Sequence, residues 1–255
     1  MSGPSALRVA VVYPDLLGTY GDGGNGLILS RRAQWRGYPV ELVQALSDEA
    51  LPTADLYCLG GGEDGPQVRA AEGLLAEPTL TRAVEHGAVV LAVCAGYQIV
   101  GRSFPDADGT RREGVGLLDA DTVKGAPPRA VGEVLAEPTR LPGTSEPLPT
   151  LTGFENHAGR TRLGEGVTPL ARLVLGRGNE SPAGTEGAVA GRVVGTYLHG
   201  PVLARNPALA DLLLAWALAV DGLAPLDDHW EEALRYERLH MARRSRRLVA
   251  RLGRS

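Results

Sequence analysis

The chain has 255 residues, 44% of them hydrophobic and 22% charged, with a formal net charge of −4. That length buries a core without cross-links, and the composition excludes disordered, collagen-like and membrane-spanning chains. The acidic balance argues against a general nucleic-acid binder, and two cysteines supply neither a disulfide framework nor a metal-type pair.

Residues 1–6 are small and polar and read as a tail. The apolar run LRVAVVY at 7–13 is too short for a signal segment. It suits a strand covered on both faces. A cytoplasmic, reducing compartment with both thiols free is the expectation. Residues 26–35 can form a helix that Gly37 stops, and 40–43 and 56–59 read as two more strands. Helical patterns at 67–76 and 78–85 precede a buried strand at 88–93 (AVVLAV), and a helix opens at 95–100. Strands separated by helices predict an α/β fold, a mostly parallel sheet with helices on both faces. The Gly- and Pro-rich stretch 111–191 predicts antiparallel strands and long loops. A strand pattern returns at 192–197, and an apolar helix follows at 206–219.

Residues 225–255 place Asp227, Asp228, Glu231 and Glu232 early and Arg243, Arg244, Arg246, Arg247 and Arg251 late. That order matches a helix dipole, on a solvated helix or a docking surface. The expected division is a tail over 1–6, one α/β domain over 7–204 and a C-terminal helical extension over 205–255. Lys124 is the only lysine, which weakens any mechanism built on a phosphate-cradling or Schiff-base lysine.

Cys94 is the most informative position, in Ala92-Val93-Cys94-Ala95-Gly96-Tyr97-Gln98. It stands where a buried strand hands over to a helix, and the small residues Ala92 and Gly96 permit the sharp turn of a nucleophile. The sulfur is thereby expected above the carboxyl ends of the strands, where open α/β sheets bind ligands, and at a helix start that favours thiolate. The alternative, a small buried hydrophobe, fits Cys58 within the strand at 56–59. A thiolate attacking a carbonyl needs a base and an oxyanion hole. His199, between a strand end and Gly200-Pro201, is the best base, against a purely structural role; His86, His157, His229 and His240 are weaker. Gly60-Gly61-Gly62 follows a strand and can point N–H groups at a ligand, so Gly61 or Gly62 with Ala95 is the expected oxyanion pair.

The glycine triplet, the Cys94-x-Gly96-x-Gln98 turn and the distant Tyr197-Leu198-His199-Gly200 together resemble the class I glutamine amidotransferases of the cobyric-acid-synthase (CobB/CobQ) type. The resemblance runs from about residue 7 to 203. It implies a flavodoxin-like fold and a cysteine that forms a glutamyl thioester and releases ammonia. Three segments are similar to the small amidase subunits of lipid II isoglutaminyl synthases: the loop from Tyr13 to Asn25, Arg129-Ala130-Val131-Gly132-Glu133, and Gly153-Phe154-Glu155-Asn156-His157. That similarity implies a Mur-ligase-like (MurT-type) partner that binds ATP and magnesium and amidates the α-carboxylate of D-glutamate in the peptidoglycan stem; no cofactor is expected on this chain. It also implies that Arg129 binds glutamine, with Gln98, Gly61 and Gly62 beside it. Unaided, Arg129 reads as a surface arginine.

One departure stands out. Many class I members carry a glutamate two residues after the histidine, and here that position is Pro201. Either a dyad operates or an acid comes from elsewhere, with the partner chain as the expected source; Asp22 is left open between ligand, partner and its own turn. Rival readings remain. Gly21-x-Gly23-x-x-Gly26 matches a dinucleotide fingerprint formally but lies too far past the first strand. A cysteine hydrolase on the same scaffold, or an amidase serving cobalamin synthesis, would use the same Cys94 and His199.

Overall fold

The computed structural model describes residues 5–180 and 182–252, with side chains through 241. The late arginines Arg243, Arg244, Arg246, Arg247 and Arg251 lie outside the described side chains, and residues 1–4 of the expected tail lie outside the described chain. The first half runs β1 (Leu7–Val12), α1 (Gly24–Trp35), β2 (Val40–Ala45), β3 (Leu56–Leu59), α2 (Asp64–Ala76), α3 (Thr79–Glu85), β4 (Val89–Val93) and α4 (Ala95–Val100). The middle adds β5 (Ser103–Pro105), β6 (Arg111–Glu113), β7 (Ala120–Lys124), β8 (Ala130–Pro138) and β9 (Leu151–His157). Then come β10 (Gly159–Leu163), β11 (Ala171–Leu175), β12 (Thr185–Glu186), β13 (Ala188–Ala190) and β14 (Val193–Thr196). Helices α5 (Val202–Arg205), α6 (Pro207–Leu218) and α7 (His229–Leu252) follow.

Six strands form the main sheet in the order β13-β14-β4-β3-β1-β2. All its pairings are parallel except β13 with β14. The central strands β3, β4 and β14 are buried at every residue, as a sheet covered on both faces demands. The edge strand β2 (VELVQA) is mostly exposed or half-buried, which its polar residues permit. The Gly- and Pro-rich middle makes two antiparallel-rich sheets, β10-β7-β5-β6 and β12-β11-β8-β9. The second is stitched to the main body where Phe154 of β9 and His199 exchange backbone hydrogen bonds of 2.8 and 3.1 Å.

The boundary expected at 204 divides elements that pack together. Leu209, Leu213 and Leu214 of α6 belong to the same buried core as the main sheet, and α6 packs on α1 and β4. The described residues of α7 contribute nothing to that core, and its Trp230 and Tyr236 are largely exposed.

A knot of charge fastens this end. The side chain of Arg32 on α1 is buried and donates to Asp211 on α6 at 2.7 and 2.8 Å and to Asp228, just before α7, at 2.5 and 2.9 Å. Arg36 adds a 2.7 Å bond to Asp211. Removing one member of a buried ion cluster leaves the others uncompensated. Arg32→Met should therefore lose about 3 kcal/mol of unfolding free energy, read from the urea midpoint; a loss within error would make the knot a surface feature.

Candidate active site

Cys94 breaks β4 with backbone angles φ +53° and ψ −104°. A non-glycine residue in such a conformation is strained by about 1–3 kcal/mol and persists only where its surroundings impose it. The surroundings do so here. The Cys94 N–H donates to the Thr196 carbonyl at 2.8 Å, and the Gly96 N–H donates to the Gly60 carbonyl at 3.0 Å. A Cβ on Gly96 would stand 2.7 Å from Leu59 Cβ, so only glycine lets the turn close against β3. Cys94 thereby lines a cavity of about 370 Å³, together with Gly62, Ala95, Gln98 and Arg129.

His199 follows β14 and is almost wholly buried. Its Nδ1 lies 2.8 Å from Asp22 Oδ2, and that same oxygen accepts the Gly61 N–H at 2.9 Å. The orienting carboxylate thus comes from this chain, in the loop between β1 and α1, and not from a partner. Pro201, where the usual glutamate is missing, packs beside that loop: a Cβ on Gly24 would meet its Cγ at 2.7 Å. With Nδ1 taken, the buried Nε2 has no hydrogen-bond partner among the described residues and is the nitrogen left to trade a proton with the thiol. Burial opposes charge on the ring, but the Asp22 hydrogen bond and the neighbouring Cys94 sulfur outweigh it and raise the imidazole from 6.5 to about 10. Tyr20 covers the ring, with centroids 4.7 Å apart.

The remaining expected residues divide. Gly62 and Ala95 both border the cavity. Gly61 does not: its N–H belongs to Asp22, and a Cβ there would stand 2.8 Å from His199 Cε1. Its role is to let the imidazole approach, which corrects its expected place as a substrate or oxyanion contact. Gln98 borders the cavity with both ends of its amide held, accepting from Gln67 at 3.0 Å and donating to the Tyr197 hydroxyl at 3.2 Å. Arg129 borders the cavity from an exposed position just before β8. It donates to Asn156 Oδ1 and to the Asn156 carbonyl, each at 3.2 Å.

The segment Glu155-Asn156-His157 splits by strand alternation. Glu155 and His157 turn inward. Glu155 accepts the Arg177 and Gly178 N–H groups at 2.8 Å, and His157 stacks on Tyr197. A second inward acid, Glu186, accepts the Tyr197 N–H at 2.7 Å and the Thr196 hydroxyl at 2.8 Å, which fixes the segment leading to His199. Full burial raises its carboxyl to about 7. Cys58, also wholly buried, has its thiol pushed up to about 12, which keeps it protonated and inert.

Comparison with known proteins agrees with this geometry. Residues 8–207 match the CobB/CobQ-like glutamine amidotransferase domain. The chain belongs to that family. Among its relatives are the lipid II isoglutaminyl synthase (glutamine-hydrolyzing) subunits GatD of Streptococcus pneumoniae and Staphylococcus aureus, both 35% identical. The first match covers 84% of this chain and 82% of the relative, the second 82% and 83%. The cobyric acid synthase of Limosilactobacillus reuteri is 31% identical, over 74% of this chain but only 37% of its own. The fold matches a glutamine amidotransferase crystal structure with a TM-score of 0.56 at 20% identity, covering 82% of this chain and 98% of that one. It also matches Thermotoga maritima PurLQS with a TM-score of 0.55 at 18% identity, covering 84% and 96%.

Within this amidotransferase domain, Asp22 and Tyr20 are contacts to which the sequence reading gave no role. The polar loop Tyr20-Gly21-Asp22-Gly23 was the available signal, but no spacing rule connects it to a histidine 177 residues away. A group whose folded pKa is raised contributes stability that is whole below its unfolded value, here 6.5, and is lost as pH climbs towards 10. On a Cys94→Ser background, which removes the thiol titration and the sulfur's share of the rise, unfolding free energy should still fall as pH climbs above 6.5. Adding Asp22→Asn should flatten the fall, as followed by denaturant titration across pH; an unaltered slope would mean Asp22 does not hold the proton on His199.

Proposed function

We propose that this chain is the glutaminase subunit of a lipid II isoglutaminyl synthase and hydrolyses glutamine through a cysteinyl thioester. The observation that carries the reading is Cys94 on the wall of a cavity bordered by a guanidinium, next to a His199 whose ring is held by Asp22. With the proton of the Cys94–His199 pair held on Nε2 of the charged ring, Sγ attacks the side-chain amide carbon of glutamine as the thiolate. The Gly62 and Ala95 N–H groups meet the developing oxyanion. The imidazolium then protonates the departing nitrogen, ammonia leaves, and a glutamyl thioester remains. Water, activated by the now neutral imidazole, cleaves the thioester and frees glutamate. Asp22 holds the ring in one tautomer and stabilises its charge throughout.

The wider assignment follows from GatD relatives matched over more than four fifths of both chains, whereas the Limosilactobacillus reuteri cobyric acid synthase is matched over 37% of its length. Activation of the acceptor then falls to a Mur-ligase-like partner that binds ATP and magnesium. The ammonia amidates the α-carboxylate of D-glutamate in the lipid II stem. Among the described residues no helix is long and apolar enough to cross a membrane.

With the synthetase partner present, Cys94→Ala should abolish glutamine-dependent amidation of lipid II while ammonia-dependent amidation survives. Loss of both activities would show Cys94 to be structural. Asp22→Asn should lower kcat for glutamine hydrolysis by about 10³–10⁴, the scale of losing the orienting acid of a triad. Arg129→Ala should raise KM for glutamine by about 10², the value of a bidentate charged contact, with kcat much less affected in steady-state assays.

A further inference from the structure

Arg129 and His199 act on opposite ends of the same small substrate, yet they belong to different sheets. One side chain reaches towards both. Asn156, half-buried on β9, accepts Arg129 Nε–H at its Oδ1 and Arg129 Nη2–H at its own carbonyl, each at 3.2 Å. Its Nδ2 donates to the Tyr20 hydroxyl, and Tyr20 lies tilted on the His199 ring. The amide orientation is forced by chemistry: Nε–H is a donor, so Oδ1 must face it and Nδ2 must face the phenol.

A guanidinium has five N–H donors in a planar fork. Asn156 occupies the side edge, Nε with one hydrogen of Nη2. The end edge, one hydrogen each of Nη1 and Nη2, has no partner among the described residues, and that edge suits a two-pronged carboxylate. A free arginine on an exposed loop would have to be ordered by its ligand; one already gripped along its side loses less on binding. Tyr20 needs a similar hold, since the residue is nearly half exposed (45%) and its backbone sits at φ +63°.

We propose that Asn156 is a positioning residue that presents the end edge of Arg129 to an amino-acid carboxylate and pins Tyr20 over His199. The assignment rests on the glutaminase reading above and deepens it. Phe154, two residues earlier on the same side of β9, holds the His199 backbone through paired hydrogen bonds. A single strand thus sets the separation between the carboxylate anchor and the base, selecting a substrate with a carboxylate at one end and an amide at the other.

The test compares two thiol reagents on the full chain. 6-Diazo-5-oxo-L-norleucine carries the amino-acid head of glutamine and needs Arg129; iodoacetamide does not. In Asn156→Ala, labelling of Cys94 by the diazo ketone should slow about tenfold, the factor carried by a lost hydrogen bond to a charged group, while iodoacetamide labelling is not slowed. Asn156→Asp should slow the diazo ketone further, because its carboxylate competes for Arg129. In an Arg129→Ala background, Asn156→Ala should add little. Equal slowing of both reagents would mean Asn156 only supports packing, and an unchanged diazo-ketone rate would remove it from recognition; either overturns the proposal. Failure of glutamine to protect wild-type Cys94 from the diazo ketone would instead sink the glutaminase reading, and this proposal with it.

Discussion

A single carboxylate oxygen, Asp22 Oδ2, decides how the site is put together. It accepts one hydrogen bond from His199 Nδ1 and another from the Gly61 backbone N–H, so it fixes the ring against the loop after β3. Every other placement is relative to that ring. The sulfur lies on its other side, Tyr20 lies over it, and Phe154 clasps its backbone. Burying this set opposes charge on the imidazole, yet the ring stays charged because its partners are also buried and close.

The division of labour between sheets follows from the same point. The parallel sheet supplies the nucleophile and the glycine loop, both at carboxyl ends of its strands, where α/β folds place chemistry. The antiparallel sheet built on β8 and β9, with the residue just before it, supplies Arg129 and Asn156 to the cavity wall. In the proposed reaction, proton handling thus sits beside the main sheet, and recognition sits on the sheet docked against it. Hydrogen bonds between Phe154 and His199 keep the two in register.

Much of this was legible in the residues. Continuous apolar runs separated by helical patterns gave the parallel core, because a strand covered on both faces tolerates nothing else. The small neighbours of Cys94 announced a sharp break, and the clash a Gly96 side chain would make with Leu59 explains why. What stayed hidden was everything resting on long-range pairing. Asp22 meets His199 across 177 positions, and Asn156 meets Tyr20 across 136, distances at which no periodicity operates. Gly61 misled for a different reason: a glycine after a strand can offer its N–H to a ligand or make room for a side chain. Only the fold shows that it makes room. The packing of α6 into the main core stayed hidden similarly, since an apolar helix late in a chain carries no mark of which surface it covers.

The charge knot around Arg32 has a mechanical corollary. Helix α1 begins two residues after Asp22 and runs 12 residues, about 18 Å, to the end anchored on α6 and the approach to α7. The carboxylate that steers the imidazole is therefore the tip of a strut braced at its far end. Substitutions that slacken the brace would reach proton transfer without touching a single reacting atom.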